Sequence, residues 1–351
     1  MPDLQRKRRI TAVDLFCGSG AVTAAMRRHG YRVLAAVDND PVACETYRLN
    51  HPRTKLFSQD IRNVDPEVVR AVTRVPIDLL VVCAPCQPFS SHRRGYQDDP
   101  RANLLLQAVK FAAALEPGAI LFENVPGLIR HGNEGVVGKL ASALRRIGYL
   151  LGQVRKVDAA DLGVPQRRLR CVMVAAKKPA VLETFAKEEL SAPRSTVREA
   201  IGHLEPLQSG ERSATDPLHF ARVHQPIVLK RLKHIAADGG SRSDLPDTLR
   251  LPCHRDREKS YSDVYGRMRW DTVAPTLTTG CTDVTRGRYA HPEQDRAITL
   301  REAALLQTFP VDYLFHGNSG DVARQIGNAV PVLMVERMLP AIDRVLIAAR
   351  G

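Results

Sequence analysis

The chain has 351 residues, 44% hydrophobic and 25% charged, with 51 basic against 38 acidic side chains and a net charge of +13. These values exclude a disordered or fibrous chain and leave room for one large domain with a second, smaller one, while the excess of base suits a polyanion such as nucleic acid, or else is simply a basic surface. Seven cysteines without disulfide spacing fit a reducing compartment, and neither a signal peptide nor a membrane span is legible, so a cytoplasmic protein is expected.

The first half alternates. ITAVDLF (10–16) reads as a strand, CGSG as a turn, and Ala21 to Arg28 as a helix. YRVLAAVD (31–38) is the next strand, and PVACETYRLN opens on proline, as helices often do. SQDI (58–61) ends a further strand. PIDLLVVCA (76–84) is a continuous apolar strand, NLLLQAVKFAAALEP (103–117) a helix and AILFEN (119–124) a strand. GVVGKLASALRRIG (135–148) is a helix closed by glycine, with strands near 149–157 and 170–176. Strands apolar on both faces, alternating with helices, predict an α/β fold with a doubly wound mixed or parallel sheet and ligands at the strands' carboxyl ends.

The rhythm breaks after about residue 178. To about 290 the chain is irregular and rich in Pro, Gly, Ser, Arg and His, which predicts a second, smaller module of loops and short strands. A helical pattern returns at LREAALLQTF (300–309). A last helix, about 331–347, carries Val332, Val335, Leu339, Ile342 and Leu346 at three- and four-residue steps. The expected division is 1–185 plus 322–351 for the first domain and 186–321 for the second.

Each short motif falls at a strand end. Gly18 and Gly20 let a ligand approach the backbone at a helix N-terminus, although Ala24 stands near where the third glycine of a dinucleotide fingerprint would fall. A tight turn is the plainer reading. Asp38 ends the next strand and Asp60 the one after, and two such carboxylates suggest a nucleoside-containing cofactor. Cys86 lies between Pro85 and Pro88, next to Gln87, on a stiff exposed turn, where a nucleophile belongs. Cys83, Cys17, Cys44 and Cys171 read as buried structural thiols. A zinc site at Cys83 and Cys86 lacks a second ligand pair, so no metal is expected. Glu123 ends an apolar strand, as a working carboxyl group or half of a salt bridge. Alternation puts Gln166, Arg168 and Arg170 on one face, either for function or as a basic edge strand. The loop SSHRRGYQDDP (90–100) carries serines and arginines suited to phosphates and a glycine hinge at Gly95.

In order, DLFCGSG, VDND, QDI, APCQPFS, DDPRANL, FENV, PQRRLR, TLREAALLQTFP and QIGNAVP resemble the cytosine-C5 DNA methyltransferase family. The resemblance runs from about 11 to 335 and leaves only the middle module unmatched. It implies a transfer of methyl from S-adenosylmethionine to a cytosine in duplex DNA, with Cys86 as nucleophile, Glu123 on the target base, and Arg168 and Arg170 on the base and nearby phosphates. It implies a cofactor pocket of Phe16, Gly18, Gly20, Asp38, Asp60, Ile61, Pro85, Leu104, Asn328 and Val330. Contacts to DNA are expected from Gln87, Ser90, Arg93, Arg94, Arg168, Thr278 and Thr279, the last two on the lead-out DTVAPTLTTG (271–280). Asp38 stands where the family usually has glutamate, Ala21 replaces a frequent glycine, and Ala84 and Ala329 replace common residues; these departures bear on cofactor affinity. The implied protein is a cytoplasmic, nucleoid-associated monomer of bacterial or phage type, standing alone or paired with a restriction endonuclease that acts separately. The rival readings are a transfer-RNA methyltransferase of the same family, a DNA-binding regulator without catalysis, and a nicotinamide-linked dehydrogenase.

Overall fold

The computed structural model describes residues 8–85, 104–129, 134–251, 253 and 262–350. The chain divides into two compact units. The first comprises residues 1–158, 169–191 and 332–351, and the second 159–168 and 192–331.

The first unit is built on an eight-stranded sheet of order β3-β2-β1-β4-β5-β8-β6, with β7 also paired to β8. Its strands are β1 (Thr11–Leu15), β2 (Arg32–Asp38), β3 (Lys55–Ser58), β4 (Leu79–Val82), β5 (Ala119–Asn124), β6 (Leu150–Leu151), β7 (Arg155–Asp158) and β8 (Leu169–Ala176). The pairs from β3 through β5 are parallel, and β8 runs antiparallel to β5, β6 and β7. The sheet is therefore doubly wound and mixed, and its strand order reverses between β1 and β4, the switch point at whose carboxyl ends such sheets generally bind ligands. Every residue of β1, β4 and β5 is buried, because helices cover both faces.

Those helices are α1 (Ala21–Arg28), α2 (Pro41–Asn50), α3 (Pro66–Thr73), α4 (Leu104–Leu115), α5 (Glu134–Arg146) and α6 (Pro179–Lys187). Start signals are local. Asp40 caps α2 by accepting from the amides of Val42 and Ala43, and proline follows at the first turn. Asp65 caps α3 in the same way. One apolar cluster joins Val13, Leu15, Leu80, Val82, Ile120 and Phe122 of the sheet to Leu105, Ala108 and Phe111 of α4.

The second unit holds α7 (Val197–Ile201), α8 (Pro226–His234), α9 (Leu300–Leu306) and α10 (Ser319–Asn328). The chain then returns to the first unit as α11 (Val332–Arg350), which packs on α1 and α6. There Asp343 takes hydrogen bonds from the Tyr31 hydroxyl at 2.6 Å and the His29 ring at 2.8 Å, and Arg350 donates to Asp78 at 2.8 Å.

Several boundaries differ from those expected. The strand expected over 76–84 is only Leu79–Val82, so Cys83 lies past its end. The third strand stops at Ser58, and Asp60 instead caps a short 3-10 turn by accepting from the amide of Arg62. Helices α3, α6, α8 and α10 were not among the expected elements, although α3 and α10 each carry a clear apolar face. Among the described residues the second unit has no strand, only isolated bridges such as Gln166 with Ala274 and Arg267 with Ala290. Its backbone carbonyls are satisfied in part by arginines. Buried Arg267 donates to the carbonyls of Leu232, Ile235, His291 and Gln294 at 2.7–3.2 Å. A guanidinium carries five donors and suits a coil-rich module without ladders. Part of the basic excess is therefore structural.

Candidate active site

In the first unit the strand ends gather the predicted cofactor residues. Phe16, Gly18 and Gly20 follow β1 with φ of 60°, 52° and 95°. Glycine meets this requirement freely, and Phe16 holds a conformation that costs about 1–3 kcal/mol, typical of functional turns. A Cβ placed on Gly18 would meet no atom of the described residues within 4 Å, so among them the space over this turn is open. Asp38, at the end of β2, accepts the Gly18 amide at 2.8 Å and the Asp40 amide at 2.9 Å. Burial pushes its carboxyl up, and those amides pull it back down. The Gly18 amide expected to face a ligand thus belongs to Asp38, and the carboxylate braces the turn.

Asp60 is gripped by Arg62, whose Nε and Nη2 donate at 2.9 and 2.6 Å. These bonds hold its carboxyl below the usual range. Ile61 beside it is buried, Leu104 at the start of α4 is half-buried, and Pro85 is exposed.

Glu123 and Arg170 meet where β5 pairs with β8. Arg170 Nε lies 2.8 Å from Glu123 Oε1, and the two side chains are only 11% and 9% exposed. Cys83 stands beside this pair. Burial first and then the Glu123 carboxylate push its thiol well above the ordinary value, so Cys83 stays protonated and is no nucleophile. Asn124, 2% exposed, donates from Nδ2 to the Ala84 carbonyl at 3.1 Å and so ties the end of β5 to the exit of β4. Pro85 follows, and Cys86, Gln87, Ser90, Arg93 and Arg94 lie outside the described residues. Cys44 on α2, Cys171 on β8 and Cys17 in the turn after β1 are buried as expected, whereas Cys83 is half-buried.

In the second unit, Arg168 is 3% exposed and donates from Nη1 to the Leu277 carbonyl and from Nη2 to the Gly327 carbonyl, both at 2.9 Å. The expected grip on phosphate therefore meets a guanidinium engaged in the interior of its unit. Gln166, fully buried, accepts the Leu277 amide at 2.9 Å and donates to Gln307 at 3.1 Å, and Gln307 donates on to the Ile326 carbonyl at 2.6 Å. Three separated motifs thus close into one polar knot. The knot holds Thr278 and Thr279, both exposed, at one end, and exposed Asn328 with buried Val330 at the other. Burial alternates from Gln166 to Arg170, which is the face expected from the sequence.

Three residues of this architecture were not singled out: Asn124, Gln307 and Asp14. Each sat inside a quoted motif, and a polar side chain in an apolar run was the available signal. Asp14 is fully buried on β1, takes a hydrogen bond from Thr23 at 2.7 Å, and has its carboxyl pushed up to about 7 by burial.

Comparison with known proteins gives a consistent result. The family model for C-5 cytosine-specific DNA methylases matches residues 10–344. The type II methylase M.HgiDII of Herpetosiphon aurantiacus is 38% identical over 340 residues, which cover 95% of each chain. The type II methyltransferase M1.HphI of Haemophilus parahaemolyticus is 32% identical, over 95% of this chain and 86% of its own. Among solved structures, a prophage-encoded E. coli protein described as a DNA modification methyltransferase superposes with a TM-score of 0.75 at 24% identity, covering 96% of this chain and 99% of its own. The S. pombe Dnmt2 methyltransferase gives 0.62 at 19%, covering 95% and 98%.

Proposed function

The chain belongs to the C-5 cytosine-specific DNA methylase family, and from that premise we propose that it methylates carbon 5 of a cytosine flipped out of a specific duplex sequence, using Cys86 as a covalent nucleophile. Its proposed cofactor, S-adenosylmethionine, supplies an electrophilic methyl group when bound. The space above Gly18 and the braced Asp38 fit such a molecule, with Phe16, Gly20, Asp60, Ile61, Pro85 and Leu104 as its proposed contacts.

Carbon 5 of cytosine is a poor nucleophile. Addition of the Cys86 thiolate to carbon 6 gives an enamine, whose carbon 5 can attack a methyl group. Electron density then rises at the N3 edge and at O2. Glu123, once it has taken up a proton from solvent, is proposed to donate it or a strong hydrogen bond at N3, and Arg170 to stabilise O2. Their ion pair orients both groups before the substrate arrives. Loss of the carbon 5 proton to a base then lets the thiolate leave. The base must leave the duplex for any of this, at about a few kcal/mol. Gln87, Ser90, Arg93 and Arg94 are proposed to close on the DNA, and Thr278 and Thr279 to contact it from the second unit.

The observation that carries this reading is the buried Glu123–Arg170 pair, next to the strand exit that leads into Cys86. The relatives' type II naming supports a restriction–modification setting; a separate endonuclease reading the same sequence, a cytoplasmic location and a monomeric chain are proposed with it. A duplex with 5-fluorocytosine at the target, incubated with protein and S-adenosylmethionine, is expected to trap a covalent adduct at Cys86. Cys86→Ser is expected to form none and to lose methylation while still binding duplex. No adduct with the wild-type protein, full activity of the variant, or methylation of transfer RNA in place of duplex DNA would each overturn the proposal.

A further inference from the structure

The turn after Leu277 is a tightly built, partly exposed feature of the second unit. Its root is held by the Gln166 and Arg168 bonds to Leu277. The Tyr289 hydroxyl secures the same root, donating at 3.0 Å to the Thr276 carbonyl and lying 3.1 Å from Thr278 Oγ1. Cys281 and Val284 plug it into the interior. Successive backbone bonds run from the amides of Cys281, Asp283 and Arg286 to the carbonyls of Thr278, Gly280 and Asp283, at 3.0–3.1 Å. A loop so constrained offers the same side chains to every ligand and loses little entropy on binding.

Arg286 is the charged group on offer. A Cβ on Gly280 would lie 2.3 Å from Arg286 Cδ and 3.3 Å from its Nε. The arginine stem therefore lies over the glycine, directly beside exposed Thr279. Asp283 sits behind. Its Oδ1 accepts the Thr285 amide at 2.9 Å and hydroxyl at 2.7 Å, and its Oδ2 accepts Arg222 Nη1 at 3.1 Å. Arg286 Nε is 3.9 Å from that same Oδ2, beyond hydrogen-bond reach, and the Arg286 side chain is 65% exposed. The carboxylate thus orients the guanidinium by charge and leaves its donors facing outward. Arg288, two residues on, is different: its Nη1 donates to the carbonyls of Gly239, Gly240 and Arg267.

We propose that Arg286, laid over Gly280 and oriented by Asp283, is a specificity-determining residue that reads a guanine in the recognised duplex. This rests on the reading of the chain as a duplex-DNA methyltransferase. Guanine presents two acceptors, O6 and N7, on its major-groove edge, and a forked guanidinium is their natural partner. The flanking hydroxyls of Thr278 and Thr279 suit phosphates, which set register and leave sequence to Arg286.

Sequencing of methylated cytosines gives the wild-type motif. A duplex with that motif and its single-base-pair variants then compete for binding to wild-type protein, Arg286→Ala, Arg286→Lys and Gly280→Ala. Arg286→Ala is expected to lower discrimination at one G·C position by about 10- to 100-fold and to leave the other positions unchanged. Lysine, without the fork, restores little of it. The three atoms nearest a Cβ on Gly280 all belong to the flexible Arg286 side chain, so Gly280→Ala is expected to fold while displacing the arginine. It is expected to relax the same position, and the double variant to add nothing further. An unchanged motif in both single variants overturns the proposal. So does a uniform loss at all positions with a salt slope shallower by about one, which marks a phosphate contact. A wild-type protein that methylates no duplex would instead sink the underlying reading.

Discussion

Arg168 carries two kinds of information. Its place in PQRRLR suggests a group that holds a flipped base or its phosphates, while its surroundings make it a clasp between the Leu277 and Gly327 carbonyls. One buried guanidinium satisfies two backbone acceptors from stretches that are distant in sequence. Lysine has the charge but cannot span both, so Arg168→Lys leaves one carbonyl unsatisfied, at a cost of about 1–3 kcal/mol. We expect that loss in urea unfolding, together with a lower kcat/KM and an unchanged salt slope of duplex binding. A slope shallower by about one would return Arg168 to the phosphates. Arg170, two residues on, pairs with Glu123 instead of carbonyls. Spacing alone did not separate these two roles, because both arginines point to the same side of the chain.

At the scale of elements, α9 shows how the irregular unit is secured. Arg296 and Glu302 are fully buried and joined by two hydrogen bonds of 2.8 Å. Glu302 also closes the capping box of α9 by accepting the Thr299 amide. Removing one partner strands the other charge, so Arg296→Met is expected to cost about 3–5 kcal/mol in denaturant unfolding, and Arg296→Met with Glu302→Leu much less. Equal losses would show that the charges are not coupled. The regular elements of the first unit were legible from their residues: α1, α2 and β5 begin and end where apolar run, proline and turn signals place them. The second unit was not, because it is held by arginine–carbonyl bonds and short capped turns, which leave no periodic apolar pattern. Glu123 was legible as a charge ending an apolar strand, and its partner Arg170 by alternation. The bracing of Gly18 by Asp38 was not, since it depends on strand register.

For the whole molecule, acid is the revealing variable. His51 in the first unit and His291 in the second are buried, and burial lowers both from 6.5 to about 4. The folded chain leaves them neutral where the unfolded chain binds a proton, so their contribution is present above about pH 6.5 and is lost as pH falls towards 4. Each group contributes on the order of 3 kcal/mol across that window. Asp14, raised to about 7, has the opposite sign: the folded chain holds its proton longer, so its share of stability declines as pH rises towards 7. His224 shares the histidines' sign, while Asp38 and Glu336 share that of Asp14, so the balance is read one group at a time, as the stability at pH 7 minus that at pH 5 in urea unfolding. His291→Asn keeps an acceptor for the amides of Glu293 and Gln294, which the ring nitrogen now takes at 3.2 and 3.0 Å, and should narrow the difference; an unaltered difference would clear His291.

The first unit is assembled from three stretches of chain, and the last of them supplies α11. At roughly 5–20 residues per second, the ribosome finishes α1 some 15–60 seconds before the helix that covers it exists. Throughout that interval the nascent sheet carries an uncapped apolar flank, a natural target for chaperones. Nonsense mutations anywhere before α11 should therefore yield insoluble products, not smaller working enzymes.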